Sequence, residues 1–259
     1  MKDYQIFLIS SGILLACLLL TKQLVIFSLL CLGAMVLTNI FLRSRGLKSI
    51  LISLFAFFIS FIAPVAFADL ILEVPRPYVS HIQYILEIGG RIGDIISSYG
   101  FNMWIFFYKD TLVSSHTPLF DFAPFLTVGV TPYSAGIWLF VLSNTIFLIS
   151  LLRYFYELYK SEVRFFRKSD ILLWIFQLSF LNLSFNIFLT GTHERYLYHF
   201  YPFIIISFLG SSLSNRKELY ILITGAFLYG SFLFGYLSNM LLGRFPFYAM
   251  AVFHFLLFV

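Results

Sequence analysis

Charge is what this chain has least of. Only 11% of its 259 residues are Asp, Glu, Lys or Arg, against about a quarter in soluble globular domains. With 60% hydrophobic residues and a mean hydropathy of +0.92, too little polar side chain remains to cover a water-soluble domain. Cysteine is scarce too. Cys17 and Cys31 both lie inside apolar runs, which excludes a disulfide framework and leaves them as small hydrophobes. The period-two alternation of a membrane β-barrel, in pieces of about 10 residues, is missing. So are a phosphate-cradling Gly-rich loop, a zinc-binding HExxH, a nucleophile elbow and any internal repeat. No small-residue cleavage site closes the first apolar run after Lys2, so residues 5–20 are expected to remain as a span.

Long apolar runs are what is present. Several approach the ~20 residues needed to cross a bilayer, and in hydrocarbon each must satisfy its own backbone, which makes them helices. The expectation is an all-α, polytopic membrane helix bundle of about eight spans forming one transmembrane domain over residues 1–259. The spans are expected at 5–20, 24–42, 49–72, 135–152, 171–189, 197–213, 219–240 and from 247 onward. Only Thr21-Lys22-Gln23 separates the first two, a tight hairpin with Lys22 at its tip. Pro64 predicts a kink in the third span, and Asp69 lies near its far end.

Residues 73–134 form the one long region without a span, an external loop. Within it Tyr78, Ile82, Ile85, Ile92, Ile96 and Tyr99 recur at three, four and seven positions. That period predicts an amphipathic interfacial helix bent at Gly89-Gly90. The aromatic-rich segment 101–108 predicts a belt piece or a short re-entrant helix, with Trp104 and Trp138 as belt residues. Pro118, Pro124 and Pro132 mark the rest as loop.

Basic residues set the orientation. With the amino terminus inside, eleven of the seventeen Lys and Arg fall on the cytoplasmic side, five of them between 153 and 168 (Arg153, Lys160, Arg164, Arg167 and Lys168). This asymmetry accounts for the net charge of +5 without invoking nucleic acid. The same topology puts Lys22-Gln23, the 73–134 loop and His193-Glu194-Arg195 together on the non-cytoplasmic side.

The polar stretch Thr190-Gly191-Thr192-His193-Glu194-Arg195-Tyr196 interrupts two apolar runs, and charges at a bilayer edge are costly unless used or wetted. His193 offers an imidazole that titrates near neutrality. Arg195 offers a guanidinium that grips phosphate in bidentate fashion. The alternative is an interfacial loop in which Glu194 pairs with Arg195 and His193 is solvated. Lys22 is a phosphate contact or a lysine snorkelling to headgroups. Asp69, Glu73, Asp94, Asp110 and Asp121 could supply a base or a metal ligand, although no two stand at a metal-ligand spacing. His254, in the last run, is expected to be packed or at the lipid edge.

Residues 188–197, Phe-Leu-Thr-Gly-Thr-His-Glu-Arg-Tyr-Leu, resemble the TGxHERYL signature of the GT-C membrane glycosyltransferases. The nearest branch is the bacterial relatives of the GPI-anchor second mannosyltransferase. Leu18-Leu19-Leu20-Thr21-Lys22-Gln23 resembles that family's LLTKxQ hairpin, Phe101-Asn102-Met103-Trp104 its FNxW segment, and residues 129–140 its approach to the next span. The resemblance implies a mannosyltransferase-like enzyme of a bacterial cytoplasmic membrane. It would take a sugar from a polyprenyl-phosphate donor within the lipid and pass it to a glycan or lipid acceptor on the non-cytoplasmic face.

Substrate-binding residues implied by the motif matches are Lys22, Gln23, Asn102, Trp104, His193, Glu194, Arg195 and Tyr196. A divalent metal is the one cofactor left open. The family's acidic catalytic base sits in an early external loop that precedes its LLTKxQ hairpin. Here that hairpin begins at residue 18, so the base is expected upstream of Met1, in further spans or in a separate amino-terminal half. Two alternatives remain, a component of a lipid-linked saccharide transporter and a non-catalytic membrane partner. Apolar runs nearly free of polar side chains count against the transporter.

Overall fold

The computed structural model describes residues 2–21, 26–44, 46–71, 94–96, 102–108, 113–117, 130–163, 165–192, 197, 200–210, 216–238 and 244–258. Eight α-helices are described: α1 (Lys2–Thr21), α2 (Ile26–Arg43), α3 (Leu47–Ile71), α4 (Pro132–Lys160), α5 (Lys168–Phe188), α6 (Phe200–Gly210), α7 (Arg216–Ser238) and α8 (Arg244–Phe258). One short 3-10 turn, Met103–Phe106, lies between α3 and α4. Among the described residues there is no strand, only an isolated antiparallel bridge between Ile95 and Ser114. The all-helical expectation is met.

Three of these helices, α3, α4 and α5, are long and apolar enough to cross a membrane. Their 25, 29 and 21 residues rise about 37, 43 and 31 Å, against a hydrocarbon thickness of ~30 Å. The other apolar stretches, Tyr4–Leu20, Ser28–Arg43, Phe200–Gly210 and Leu219–Gly230, are shorter.

The chain divides into two compact units, one of residues 1–88 with 149–174, the other of 89–148 with 175–259. In the first, α1 packs along α3, and the contact is close because Gly12 lies over a turn of α3. A Cβ on Gly12 would overlap Ser60 Oγ and press on the Phe57 carbonyl, the small-residue approach by which helices pack in lipid. Leu8, Leu15, Val36, Ile40 and Phe57 form the buried core of these three helices. At one end the Arg43 guanidinium sits 4.3 Å from the Tyr4 ring centre and 4.7 Å from that of Phe165, cation–π contacts that tie three segments together.

The same unit holds the start of α5. Asp170, at the third helical position, is fully buried, and its carboxylate reaches back to accept the Arg167 backbone N–H at 2.7 Å. It also accepts the Tyr154 hydroxyl at 2.8 Å, and the Arg167 guanidinium donates to that hydroxyl at 2.7 Å. This is half a capping box, with the negative charge at the positive end of the helix dipole. Residues 153–160, expected in a basic loop, instead continue α4. The Glu157–Lys160 pair, one helical turn apart, supports that last turn.

In the second unit Phe147 of α4 stacks on Phe176 and Phe180 of α5, at 5.7 and 5.5 Å between ring centres. Polar side chains are threaded through this apolar contact. Asn144 donates to Ser184 Oγ at 2.8 Å, and Gln177 donates to Asn144 Oδ1 at 3.5 Å. Gln177, Ser179, Ser184 and Asn186 of α5 are all buried, so this run is not as free of polar groups as expected. Buried amides in an apolar helix pair survive because they bond one another across the interface.

His254 is fully buried and packed rather than at a lipid edge. Its Nδ1 faces the Met250 carbonyl at 2.6 Å, which can only accept. The proton therefore sits on Nδ1, and the Tyr201 hydroxyl donates to Nε2 at 2.6 Å. Of the two cysteines, Cys31 is buried and Cys17 exposed, and both are free.

Candidate functional site at the end of helix α5

The end of α5 is built by residues far apart in the chain. The helix stops at Phe188, and Leu189–Thr192 leave it as a turn. Gly191 has φ +67°, the left-handed region that costs other residues roughly 1–2 kcal/mol. Its N–H points away from the helix and donates to the Ile96 carbonyl at 3.2 Å.

Asn102 is the hub of this turn and is 0% exposed. Its Nδ2 donates to the Ile96 carbonyl at 2.8 Å, the Leu189 carbonyl at 3.2 Å and Thr192 Oγ1 at 3.3 Å. Two of those partners are carbonyls, which only accept, so the amide orientation follows from its neighbours. Thr192 Oγ1 passes its own proton toward the Asn186 carbonyl at 3.4 Å. Asn102 Oδ1 has no partner among the described residues.

Trp104 is 3% exposed, and its indole N–H donates to the Phe188 carbonyl. Gly136, in the first turns of α4, comes so close to that carbonyl that a Cβ would overlap it, with the Trp104 indole nitrogen 3.3 Å away. Trp104 is therefore an internal hydrogen-bonding residue and not the belt residue expected. Trp138, 74% exposed, does present its ring outward.

The start of α4 and the 94–117 region complete this end of the unit. Pro132, expected in a loop, opens α4 at the position where its missing N–H costs nothing. Thr131 and Ser134 cap the helix reciprocally, each side-chain oxygen accepting the other's backbone N–H at 3.2 Å. Asp94–Ile96, the described part of the expected 78–99 helix, are not helical: Ile96 N–H bonds the Val113 carbonyl at 3.0 Å and Ser115 N–H the Asp94 carbonyl at 2.9 Å. Ser115 in turn accepts the Tyr133 N–H at 3.2 Å. Residues 103–106 form a 3-10 turn rather than a re-entrant helix. Tyr108, just after it, donates to the Thr117 carbonyl at 3.1 Å, and burial raises its phenol above the usual range.

Of the expected substrate-binding residues, Asn102 and Trp104 are thus brought onto the turn that leads into His193. Both spend their donor groups on backbone or on Thr192. Lys22, Gln23, His193, Glu194, Arg195 and Tyr196 lie outside the described residues, as do Glu73, Asp110 and Asp121. Of the remaining carboxylates considered, Asp69 is buried in α3. Asp94 is exposed and pairs with His116 Nε2 at 3.4 Å. Among the described residues no three His, Cys, Asp or Glu side chains gather as a metal site would require.

Gly136 was not singled out from the sequence, and Ile96 and Thr192 were named there for other reasons than holding this turn. Only Gly191 and Thr192 carried a local signal, as part of the polar stretch. No protein-family model, curated protein or solved structure matches the chain.

Proposed function

We propose that this chain is a GT-C-type membrane glycosyltransferase component of about eight spans. In this reading residues 188–196 lie on the donor-phosphate side of a site open to the non-cytoplasmic face of a bacterial cytoplasmic membrane. The observation that supports it is the bonding of Asn102 to Leu189 and Thr192, 87 and 90 residues further along the chain. Two of the three motif-like stretches, residues 188–197 and the FNxW-like segment that is weak alone, meet at one place. Sugar transfer from a polyprenyl-phosphate donor needs cations or hydrogen-bond donors on the departing phosphate and a base for the acceptor hydroxyl. His193, Arg195 and Lys22 are assigned to the first task. None of the residues discussed is assigned to the second.

The test is transfer of labelled hexose from a polyprenyl-phosphate donor by membranes carrying the full chain. Transfer should be abolished in His193→Ala and Arg195→Ala, and variants as active as the parent would overturn the assignment. A second reading, as a component of a lipid-linked saccharide transporter, is favoured by the buried Asn144–Gln177–Ser184 cluster. Movement of the lipid-linked sugar across vesicles without any transfer would select it.

A further inference from the structure

We infer that Asn102 and Trp104 are positioning residues that act through the backbone of Phe188–Thr192, not side chains that touch substrate. The inference rests on the glycosyl-transfer reading above but replaces the role it gave these two residues. A side chain that binds substrate must present a reachable polar group: Asn102 Oδ1 is unpartnered among the described residues but fully buried, and the donors are already spent. Here the whole Nδ2 group of Asn102 is committed to Ile96, Leu189 and Thr192, and the single indole N–H of Trp104 to Phe188. Both side chains are buried.

What these bonds hold is a conformation that α5 would not keep by itself. Carbonyls 188 and 189 lie at the end of the helix, where no further turn supplies donors. The indole of Trp104 satisfies the first and the amide of Asn102 the second. Gly191 N–H is taken by Ile96, whose carbonyl Asn102 shares. The turn is thus fixed at four of five successive positions (188, 189, 191 and 192) by groups outside it. His193 is the next residue in the chain. Fixing Thr192 fixes the point from which the chain continues toward His193 and Arg195.

Gly136 supplies the discriminating variant. It has no side chain that could contact a substrate, yet a Cβ there would displace the Phe188 carbonyl. Asn102→Ala, Trp104→Phe and Gly136→Ala should therefore share one phenotype. That phenotype is a fall in kcat, about 100-fold for the first, as expected when a reacting group is misplaced by an ångström, with donor KM little changed. Combining Asn102→Ala with Gly136→Ala should add little to either alone.

A second readout needs no activity. In full-length protein kept monodisperse in detergent and carrying Cys17→Ser and Cys31→Ser, a cysteine placed by His193→Cys is labelled with a maleimide. Adding Asn102→Ala should change its labelling rate by about tenfold, the factor corresponding to one or two lost hydrogen bonds. A raised donor KM at unchanged kcat in Asn102→Ala, or parental kcat together with an unchanged labelling rate, would overturn the inference. If the parent transfers no sugar, the glycosyltransferase reading falls and the labelling experiment alone decides the positioning role.

Discussion

Helix α5 begins and ends on buried polar groups, but the two ends are held by different means. At the start, Asp170 finds its partners nearby, the Arg167 backbone three residues back and Tyr154 sixteen back. The group is charged, and Arg167 itself is largely exposed. At the other end none of the described groups that bond the turn is charged, and the partners come from 87 and 90 residues away. A local charged cap makes a helix start wherever the sequence places it. A remote neutral clamp makes a helix stop only once the rest of the unit has assembled around it. The first serves folding, and the second suits a place whose shape must be set by the whole.

Exchanging the chemistry of the two ends tests this contrast. Asn102→Asp keeps the volume but turns a carboxylate toward two carbonyls and a hydroxyl in a fully buried place. It should destabilise the chain by about 3 kcal/mol or more, because an uncompensated buried charge is among the costliest substitutions. Thermal unfolding in detergent or loss of expressed protein would report it, and parental stability would show that the amide is not the clamp described.

The reverse exchange, Asp170→Asn, should cost less, about 1–2 kcal/mol, since an amide oxygen can still accept the Arg167 N–H while the charge assistance is lost. A cost equal to that of Asn102→Asp would erase the distinction between the ends. Arg167→Ala should have the smallest effect, a barely measurable shift in thermal unfolding, because its guanidinium is largely exposed and the capping bond uses its backbone. A large loss there would show that the ion pair, and not the cap, holds the start of α5.

How much of this was legible follows the same division between local and remote. The eight described helices fall on the eight apolar runs, because hydrophobic length is written residue by residue, and three of them are long and apolar enough to cross a membrane. The end of α4 was placed eight residues early. Arg153 and Lys160 make that stretch read as a basic loop, although charges do not stop a helix once it has left hydrocarbon. Pro132 was taken for a loop marker when it was a helix opener, and Thr131 and Ser134 on either side of Pro132-Tyr133 were the available clue.

The bridge at Ile95 had no such clue. Ile92, Ile96 and Tyr99 around it are spaced as in a helix, and it is the pairing of Ile95 with Ser114 that makes the segment extended. Asn102 and Trp104 were picked out by resemblance to a motif, and their type was right for a polar contact. That their partners are Leu189, Thr192 and Phe188, rather than a ligand, could not be read from Phe101-Asn102-Met103-Trp104. Likewise Asn144 and Gln177 look like isolated blemishes in apolar runs until α4 and α5 are laid side by side.

The bare α-carbon of Gly136 also constrains how the molecule can move. With no clearance for even a methyl group against the Phe188 carbonyl, the first turns of α4 cannot slide along or rotate past the end of α5 while the two stay in contact. A shift of one residue would bring Ala135 or Ile137 to that point and force the two apart. The junction works as a detent with a single seat. Any rearrangement must carry the start of α4 and the 188–192 turn together as one lever, and its give must come from elsewhere in the chain.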